Sequence, residues 1–288
     1  MNFIYQKITD QILEQLKQNI VPWQKNWSSA FPENYISGLR YQGINTIMLG
    51  LSNFESHYWL TFRQCKALGG SVKKDEHASM VVFWKPIVRI TGTELDESTA
   101  DVHFLLKYYN VFNLQQVELP DEVLKKKNIM SSSPKIMEAE QIIQGYKNPP
   151  KIVFNNMIPN PRYIPSKDMI EILSIDKFHT PADYYSSLFH EMAHSSGAIH
   201  RLNRSGITDK IIFGSSSYGR EELVAEITSQ FLCNVSGINT NFENSVSYIS
   251  NWLQVLQNDP KMIVIAASQA QKATAYILNH SSTNSLEE

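Results

Sequence analysis

The chain has 288 residues, enough for two buried cores, and a formal net charge of −2. Hydrophobic residues make up 42% of it and charged residues 19%, which excludes a disordered chain. Because it contains no long apolar run, we expect neither a membrane-spanning helix nor a secretory leader, and no membrane partner. Its two cysteines, Cys65 and Cys233, lack metal-type spacing, so we expect buried thiols in a cytoplasmic protein.

Residues 1–120 are expected to form a small mixed α/β domain. Helical periodicity, β-branched residues and turn residues predict its elements. The helices expected there span 5–19, 45–51 and 61–68, and the strands span 79–90 and 103–117. A hairpin loop is expected at 91–100 between the two strands. The segment 121–135, with three consecutive lysines and three consecutive serines, is interpreted as a linker.

Residues 136–288 are expected to form a second, mostly helical domain with a small sheet. Short strands flanked by proline and asparagine are expected at 151–154 and 162–164. Besides the helix that carries the motif described next and a second helix that buries Leu223, Ile227 and Phe231, the helices expected here span 136–144, 245–257 and 260–278. The fold class predicted from both halves is α+β with two domains.

The most informative stretch is His-Glu-Met-Ala-His at 190–194. On an α-helix, residues four positions apart lie on one face, so His190 and His194 can direct imidazole nitrogens at a single ion. Glu191, beside the first ligand, can reach a water molecule activated by the ion and take its proton as it attacks a carbonyl. The pattern is typical of zinc peptidases. We therefore expect Zn²⁺, with Mn²⁺ or Co²⁺ able to substitute.

The residues that flank the motif predict a helix of about sixteen residues, with the histidines in its last turns. Thr180 can cap the helix, Pro181 suits its first position, and Asp183 places negative charge in the first turn. Gly197 is expected to end it. The motif therefore lies where a zinc peptidase needs it.

A catalytic zinc site needs a third protein ligand and an open position for water, and two ligands are possible. His200 completes the longer spacing His-Glu-x-x-His-x-x-Gly-x-x-His, although the only later methionine, Met262, lies in an apparent helix rather than in the expected methionine turn. Glu222 is the other candidate. It shares a helical face with Glu226, so one carboxylate could bind the ion and the other could orient a histidine. Glu221 is interpreted as a solvated neighbour.

Several segments together resemble a known family. The segments LFHEMAHSSG, HRLNR and YGREELVAEITSQFLC are similar to the metallopeptidase domain of the ArdC-type antirestriction proteins of plasmids and phages. The N-terminal, single-stranded-DNA-binding domain of that family is similar in five segments, IVPWQKNW, YQGIN, WLTF, GGSVKK and YNVFN. The resemblance covers most of the chain, and its motifs are specific in combination.

The resemblance implies a zincin-like helical metallopeptidase domain with a small sheet at 136–288, preceded by a DNA-binding domain at 1–120. Carried over by position, it makes His190, His194 and one glutamate of the pair at 221–222 the metal ligands, with Glu191 as the base. We choose Glu222 because of its spacing to Glu226, which would orient a histidine. His200 is retained as the alternative ligand.

Binding of single-stranded DNA is implied by the resemblance and is not indicated by composition. Residues 1–120 carry 11 Lys or Arg and 11 Asp or Glu, whereas tight phosphate binding normally requires a basic face. Local basic clusters and bases stacked on aromatic rings could still bind a strand. The alternative is that most of the rings are core residues. The candidates for DNA binding are Arg40, Tyr41, Trp59, Lys73 and Lys74.

Two functions of different class follow from these expectations. In the first, the protein protects incoming mobile DNA from restriction by binding single-stranded DNA and cutting a DNA-bound protein substrate. In the second, it coats single-stranded DNA, and its metal site is structural or vestigial. Glu191 favours the first, because a structural site has no use for a base.

Overall fold

The computed structural model describes residues 2–24, 31–52, 54–90, 100–124, 135–208, 216–239 and 246–280. Most of the predicted hairpin loop at 91–100 and of the linker at 121–135 lies outside these ranges. The described elements combine helices with three small sheets. The predicted α+β class is therefore confirmed.

The N-terminal half consists of a four-stranded sheet, a two-stranded sheet and short helices. Its helices are α1 (Asn2–Lys17), α2 (Ile44–Gly50), α3 (Phe62–Ala67) and α4 (Asp121–Leu124). Its strands are β1 (Glu33–Asn34), β2 (Tyr58–Thr61), β3 (Ser71–Val72), β4 (Ser79–Ile90), β5 (Ala100–Asn113) and β6 (Val117–Glu118). The larger sheet has the order β1-β2-β5-β4, and β3 pairs with β6.

The long hairpin of β4 and β5 runs antiparallel from the pair Ser79–Val111 to the pair Ile90–Ala100. The strand predicted at 103–117 therefore begins earlier and ends earlier than expected. It ends because the Asn113 side chain accepts a hydrogen bond from the following turn and forms a capping box.

The C-terminal half places helices around a three-stranded sheet. Its helices are α5 (Lys135–Gly145), α6 (Pro181–Ser196), α7 (Ser205–Thr208), α8 (Ser216–Ser236), α9 (Val246–Asn258) and α10 (Met262–Ile277). Its strands are β7 (Lys151–Phe154), β8 (Arg162–Ile164) and β9 (Met169–Ile172). The strand β9, which was not expected from the sequence, lies in the middle of the order β7-β9-β8 and buries Ile170 and Ile172.

One hydrophobic core joins the two halves of the chain. In α1, Ile8, Ile12 and Leu16 recur every four positions and are fully buried. They belong to the same cluster as Phe231 of α8 and Trp252 of α9. The N-terminal half therefore shares its apolar interior with α8, which carries Glu222 and Glu226, and with the helices α9 and α10.

Both cysteines are buried free thiols, as predicted. Burial raises the pKa of both thiols, that of Cys233 to about 12. Within the ranges that the structure describes, no helix has the length and apolar character needed to cross a membrane.

Candidate metal centre

The helix α6 begins as the sequence predicts. The Thr180 side chain accepts a hydrogen bond from the backbone N–H of Asp183, whose carboxylate accepts one in return, and Pro181 follows the cap. At the other end, Gly197 has φ −81°, so left-handed backbone does not explain the glycine. A Cβ atom there would lie 2.8 Å from Nη2 of Arg204. The glycine therefore leaves room for that arginine.

The two histidines of α6 face one carboxylate of α8. Their Nε2 atoms are 3.1 Å apart. Nε2 of His190 lies 3.5 Å from Oε2 of Glu222, and Nε2 of His194 lies 3.6 Å from Oε1 of the same residue. Donors that bind zinc tetrahedrally at about 2.0–2.1 Å are roughly 3.3 Å apart. The side chains therefore fit an ion of this kind with little movement.

Among the described residues, these three side chains form the group whose donor atoms all lie within 4.8 Å of one another. Each side chain is partly exposed, with His194 the least accessible. Two imidazoles and one carboxylate leave a coordination position of a tetrahedral ion open to a small molecule. The arrangement therefore resembles a catalytic site more closely than a closed, four-ligand structural site.

The remaining nitrogen of His190 faces a second carboxylate. Oε2 of Glu226 lies 3.4 Å from Nδ1 of His190, and Oε1 of Glu226 accepts a hydrogen bond of 2.8 Å from the amide of Gln24. Burial lowers the pKa of His190, but hydrogen bonds to Glu222 and Glu226 and the charge of Glu191 raise it well above its ordinary value. The negative surroundings that favour an imidazolium also favour a metal cation.

The remaining nitrogen of His194 faces Glu221. Oε1 of Glu221 lies 3.3 Å from Nδ1 of His194. The guanidinium of Arg204 holds both oxygens of Glu221, at 2.6 and 3.0 Å. Burial raises the pKa of Glu221, yet hydrogen bonds from His194 and Arg204 outweigh it and lower that pKa. Glu221 is 4% exposed, so the expectation of a solvated side chain was wrong.

Two glycines allow this ion pair to form so close to the motif. Gly197 lies against Arg204, and a Cβ atom on Gly206 would lie 2.8 Å from Cβ of Glu221. Arg204 also donates to the backbone carbonyl of Ala193 at 2.7 Å, near the end of α6. The ion pair therefore ties α6, α7 and α8 together beside the side chains of His190, His194 and Glu222.

Glu191, the expected base, follows His190 on α6 and is buried. Its neighbours in the motif, Met192 and Ala193, are buried in the packed interior. The carboxylate therefore belongs to a helix that packing holds in place, which favours a fixed position for a proton acceptor.

His200, the alternative ligand, is directed elsewhere. Its Nε2 lies 3.2 Å from Oδ2 of Asp168, and its side chain is 49% exposed. The same carboxylate receives two hydrogen bonds of 2.8 Å from Arg201. Because that pair ties the segment after α6 to the strand β9, His200 lies at the sheet and not in the group formed by His190, His194 and Glu222.

The residues predicted to bind DNA lie in two different environments. Arg40, Lys73 and Lys74 are exposed, and Lys73 donates to the backbone oxygen of Gln115 at 2.8 Å. Trp59 is 2% exposed and Tyr41 is 8% exposed. Both rings pack in one cluster with Leu49, Val81 and Val111. In this structure the two rings are core residues, so neither can stack on a base.

Two residues that hold the carboxylates facing the histidines were not predicted from the sequence. Arg204 holds a glutamate 17 positions away, and Gln24 holds one 202 positions away. The arginine lies in the segment HRLNR and the glutamine in IVPWQKNW, both of which contributed to the resemblance. No local spacing connects either residue to the motif, because the contacts depend on tertiary packing.

Two family models together match most of the chain. The N-terminal domain of anti-restriction factor ArdC matches residues 2–112, and the zincin-like metallopeptidase matches residues 138–269. Curated relatives include a DNA primase TraC of Escherichia coli, 28% identical over 95% of this chain and 27% of the primase. The chain thus spans about a quarter of the length of that relative. Uncharacterized protein y4eC of Sinorhizobium fredii is 30% identical over 93% of this chain and 89% of that protein.

Solved structures of the antirestriction protein ArdC from plasmid R388 are similar over nearly the whole chain. The metal-free crystal structure is 32% identical with a TM-score of 0.74, and it covers 96% of this chain and 98% of that one. The Mn(II)-bound crystal structure, also 32% identical, has a TM-score of 0.76 and covers 97% and 98%. The chain therefore belongs to the ArdC antirestriction family, with an ArdC N-terminal domain followed by a zincin-like metallopeptidase domain.

Proposed function

We propose that the protein is a zinc-dependent peptidase that protects mobile DNA from restriction while bound to single-stranded DNA in the cytoplasm. The observation that carries the peptidase proposal is the triangle of donor atoms from His190, His194 and Glu222, with sides of 3.1 to 3.6 Å. Glu191 lies next to the first of these ligands, as in peptidases of this class. The proposed substrate is a protein bound to DNA.

The chemistry divides between the ion and the protein. When bound, Zn²⁺ acts as a Lewis acid that lowers the pKa of water toward about 7 and polarises a carbonyl. Glu191 accepts the proton of the attacking water on its carboxylate and can return it to the departing amine. The donor set also suits Mn²⁺ and Co²⁺, and the R388 relative has a Mn(II)-bound structure.

The substitution Glu191→Gln tests the proposed peptidase. It keeps the size of the side chain and its hydrogen bonding but removes the base. We expect the zinc content to stay near one per chain while hydrolysis of unfolded casein, with single-stranded DNA present, falls by about two orders of magnitude or more. Metal analysis and a peptide-release assay measure the two quantities on the same preparation.

The matched control is His200→Ala, which changes a histidine outside the donor triangle and should keep both metal and hydrolysis. Undiminished hydrolysis by the Glu191→Gln protein would remove Glu191 from the role of base. If the wild-type protein holds zinc but cuts nothing, the alternative of a strand-coating protein with a structural metal site is favoured.

Single-stranded DNA binding is proposed for the N-terminal half. The match to the ArdC N-terminal domain supports it, and the exposed side chains of Arg40, Lys73 and Lys74 could contact phosphates. Because Trp59 and Tyr41 are buried, base stacking would fall to exposed rings. Among the described residues of this half, these rings are Phe3, Phe62, Tyr108 and Tyr109.

Tyr109 is an exposed ring on the strand β5. It pairs with Val81 across β4 and β5 and is 49% exposed. Its ring lies 5.5 Å from that of Phe83 in an edge-to-face contact. The exposed Lys107 has the same side-chain direction two residues along the strand, opposite Phe83. An aromatic pair beside a cation could accept an unpaired base and its phosphate.

A titration with oligo-dT tests the proposed binding on the full chain, since the N-terminal half shares its core with the C-terminal helices. Tyr109→Ala should weaken binding by about 1–3 kcal/mol with an unchanged salt dependence, because stacking releases few counterions. Tyr109→Phe, the matched control, keeps the ring and should bind normally.

Lys73→Ala combined with Lys74→Ala should reduce the salt dependence of binding to oligo-dT, because these lysines are the proposed phosphate contacts. Tighter binding to duplex than to oligo-dT would contradict the proposal.

A further inference from the structure

Gln24 of the N-terminal half contacts a side chain of the metal centre. Gln24 ends the short helical turn Pro22–Gln24, and its amide donates to Oε1 of Glu226 at 2.8 Å. The other oxygen of Glu226 lies 3.4 Å from Nδ1 of His190. The contacts therefore run from the N-terminal half through two side chains to a proposed metal ligand.

We propose that Gln24 is a positioning residue of the metal centre, supplied by the ArdC N-terminal domain. The inference rests on the proposed metal site and not on peptidase activity. A carboxylate held at one oxygen cannot turn freely, so the hydrogen bond from Gln24 keeps the second oxygen of Glu226 facing His190. When Nδ1 of His190 carries a proton toward Glu226, the lone pair of Nε2 is left for the ion.

The chemical type of the group matters as much as its place. The amide of Gln24 is neutral, so it fixes the carboxylate of Glu226 without cancelling its charge. A charged partner at this position would pair with Glu226 and weaken the field that it exerts on His190. Gln24 therefore orients the carboxylate and leaves its negative charge beside the ligand.

The backbone that carries Gln24 is anchored by its neighbours. Pro22 and Trp23 are buried, and the ring of Trp23 packs edge-on against Trp252 at 5.1 Å. The backbone N–H of Gln24 donates to the carbonyl of Val21 at 3.0 Å. Because this backbone is fixed by core packing, only the rotamers of the side chain have to be ordered when it bonds Glu226.

The consequence is that the metallopeptidase domain does not complete its own metal centre. The two carboxylates that face the histidines are held by Arg204 and by Gln24. Gln24 comes from the domain proposed to bind DNA, which shares a core with the C-terminal helices. Loss of the contact should lower metal affinity without unfolding the protein. This loss of metal affinity should require Glu226, because Gln24 acts on His190 through that carboxylate.

A double-mutant cycle on the full-length protein tests this. The variants are Gln24→Met, which keeps the length but removes the donor, Glu226→Ala, and the combination of both. Zinc affinity is measured by competition with a chelator, and Co²⁺ absorption reports the geometry of the ligands. Gln24→Met should lower zinc affinity about tenfold, at the lower end of the effect of removing an outer hydrogen-bond partner. In the Glu226→Ala background the same change should have no further effect.

The control is Gln18→Ala, which removes an exposed glutamine whose amide bonds Glu14, and it should leave zinc affinity unchanged. The melting temperature of metal-free protein separates positioning from folding, since Gln24→Met should leave it nearly unchanged. Equal losses of affinity in both backgrounds, or no loss in the wild-type background, would overturn the proposal. If the wild-type protein hydrolyses nothing but Gln24→Met lowers zinc affinity only when Glu226 is present, the proposed peptidase activity is refuted and the positioning role of Gln24 is supported.

Discussion

The two histidines that are proposed to bind the metal are supported in opposite ways. His194 faces Glu221, which is almost completely buried and held on both oxygens by Arg204. His190 faces Glu226, which is held on one oxygen by the neutral amide of Gln24. One carboxylate is paired with a cation inside the C-terminal half, and the other keeps its charge and is reached from the N-terminal half.

The difference separates stability from metal affinity. A buried ion pair is costly to break, because the remaining charge has no solvent and no partner. A partly exposed carboxylate with a neutral partner has less influence on folding, but its charge acts on the histidine beside it. We therefore expect the contacts of Glu221 with His194 and Arg204, called the His194 side, to stabilise the fold. The contacts of Glu226 with His190 and Gln24, called the His190 side, should set the zinc affinity of the site.

The comparison requires that both histidines and Glu222 bind the ion. Removing one of these ligands should therefore have the largest effect, which is on the zinc content. His194→Ala or Glu222→Ala should abolish stoichiometric zinc, because each removes one of three protein donors. Metal analysis after dialysis measures the content, with His200→Ala as the retained control. If His200→Ala loses the metal and Glu222→Ala keeps it, the ligand assignment fails and so does the comparison.

The His194 side gives the next largest effect. Arg204→Met keeps an extended apolar side chain but leaves the carboxylate of Glu221 buried without its cation. The free energy of unfolding should fall by about 3–5 kcal/mol. Denaturant unfolding of metal-free protein measures it. Adding Glu221→Met should recover much of the loss, because an apolar pair leaves no charge unpaired; no recovery would mean that Arg204 acts mainly through the carbonyl of Ala193.

The same pair predicts a dependence on pH. The folded-state pKa of Glu221 is lowered, so its contribution to stability is present above the ordinary pKa of glutamate, about 4.3. That contribution is lost as the pH falls through the lower, folded-state pKa. Without Arg204 the buried carboxyl can protonate readily, so the stability gap between wild type and Arg204→Met should narrow as the pH falls toward 4.

The facing positions of His190 and His194 could be predicted from the sequence because their geometry is local. Two histidines four residues apart share a helical face whatever surrounds the helix, and the capping box at Thr180 fixes where that helix begins. Arg204 and Gln24 were not predicted because their partners lie 17 and 202 positions away. Their contacts follow from how the helices pack, and no periodic pattern encodes that packing.

The aromatic residues of the N-terminal half show the same limit. A large ring on a strand favours both a core position and a stacking surface, and composition does not distinguish them. Trp59 is buried on β2, opposite Asn113, whereas Tyr109 on β5 is 49% exposed. The strand β9 was missed as well, because its central place depends on pairing with β7 on one side and β8 on the other, which its own residues do not encode.

The smallest expected effect is that of Glu226→Gln on zinc affinity, and it tests most directly whether the two histidines are supported differently. Glu226→Gln keeps an oxygen that can accept the hydrogen bond from Gln24 but removes the charge beside His190. Zinc affinity should fall about 10- to 100-fold, the range for loss of an outer partner of a ligand. The melting temperature of metal-free protein should change little, because His190 still faces the carboxylate of Glu222. The matched change Glu221→Gln should do the reverse and lower stability more than Glu226→Gln does, because Arg204 then lacks its carboxylate. If both substitutions lower the melting temperature and zinc affinity alike, the two sides are equivalent, and the neutral partner of Glu226 has no separate role.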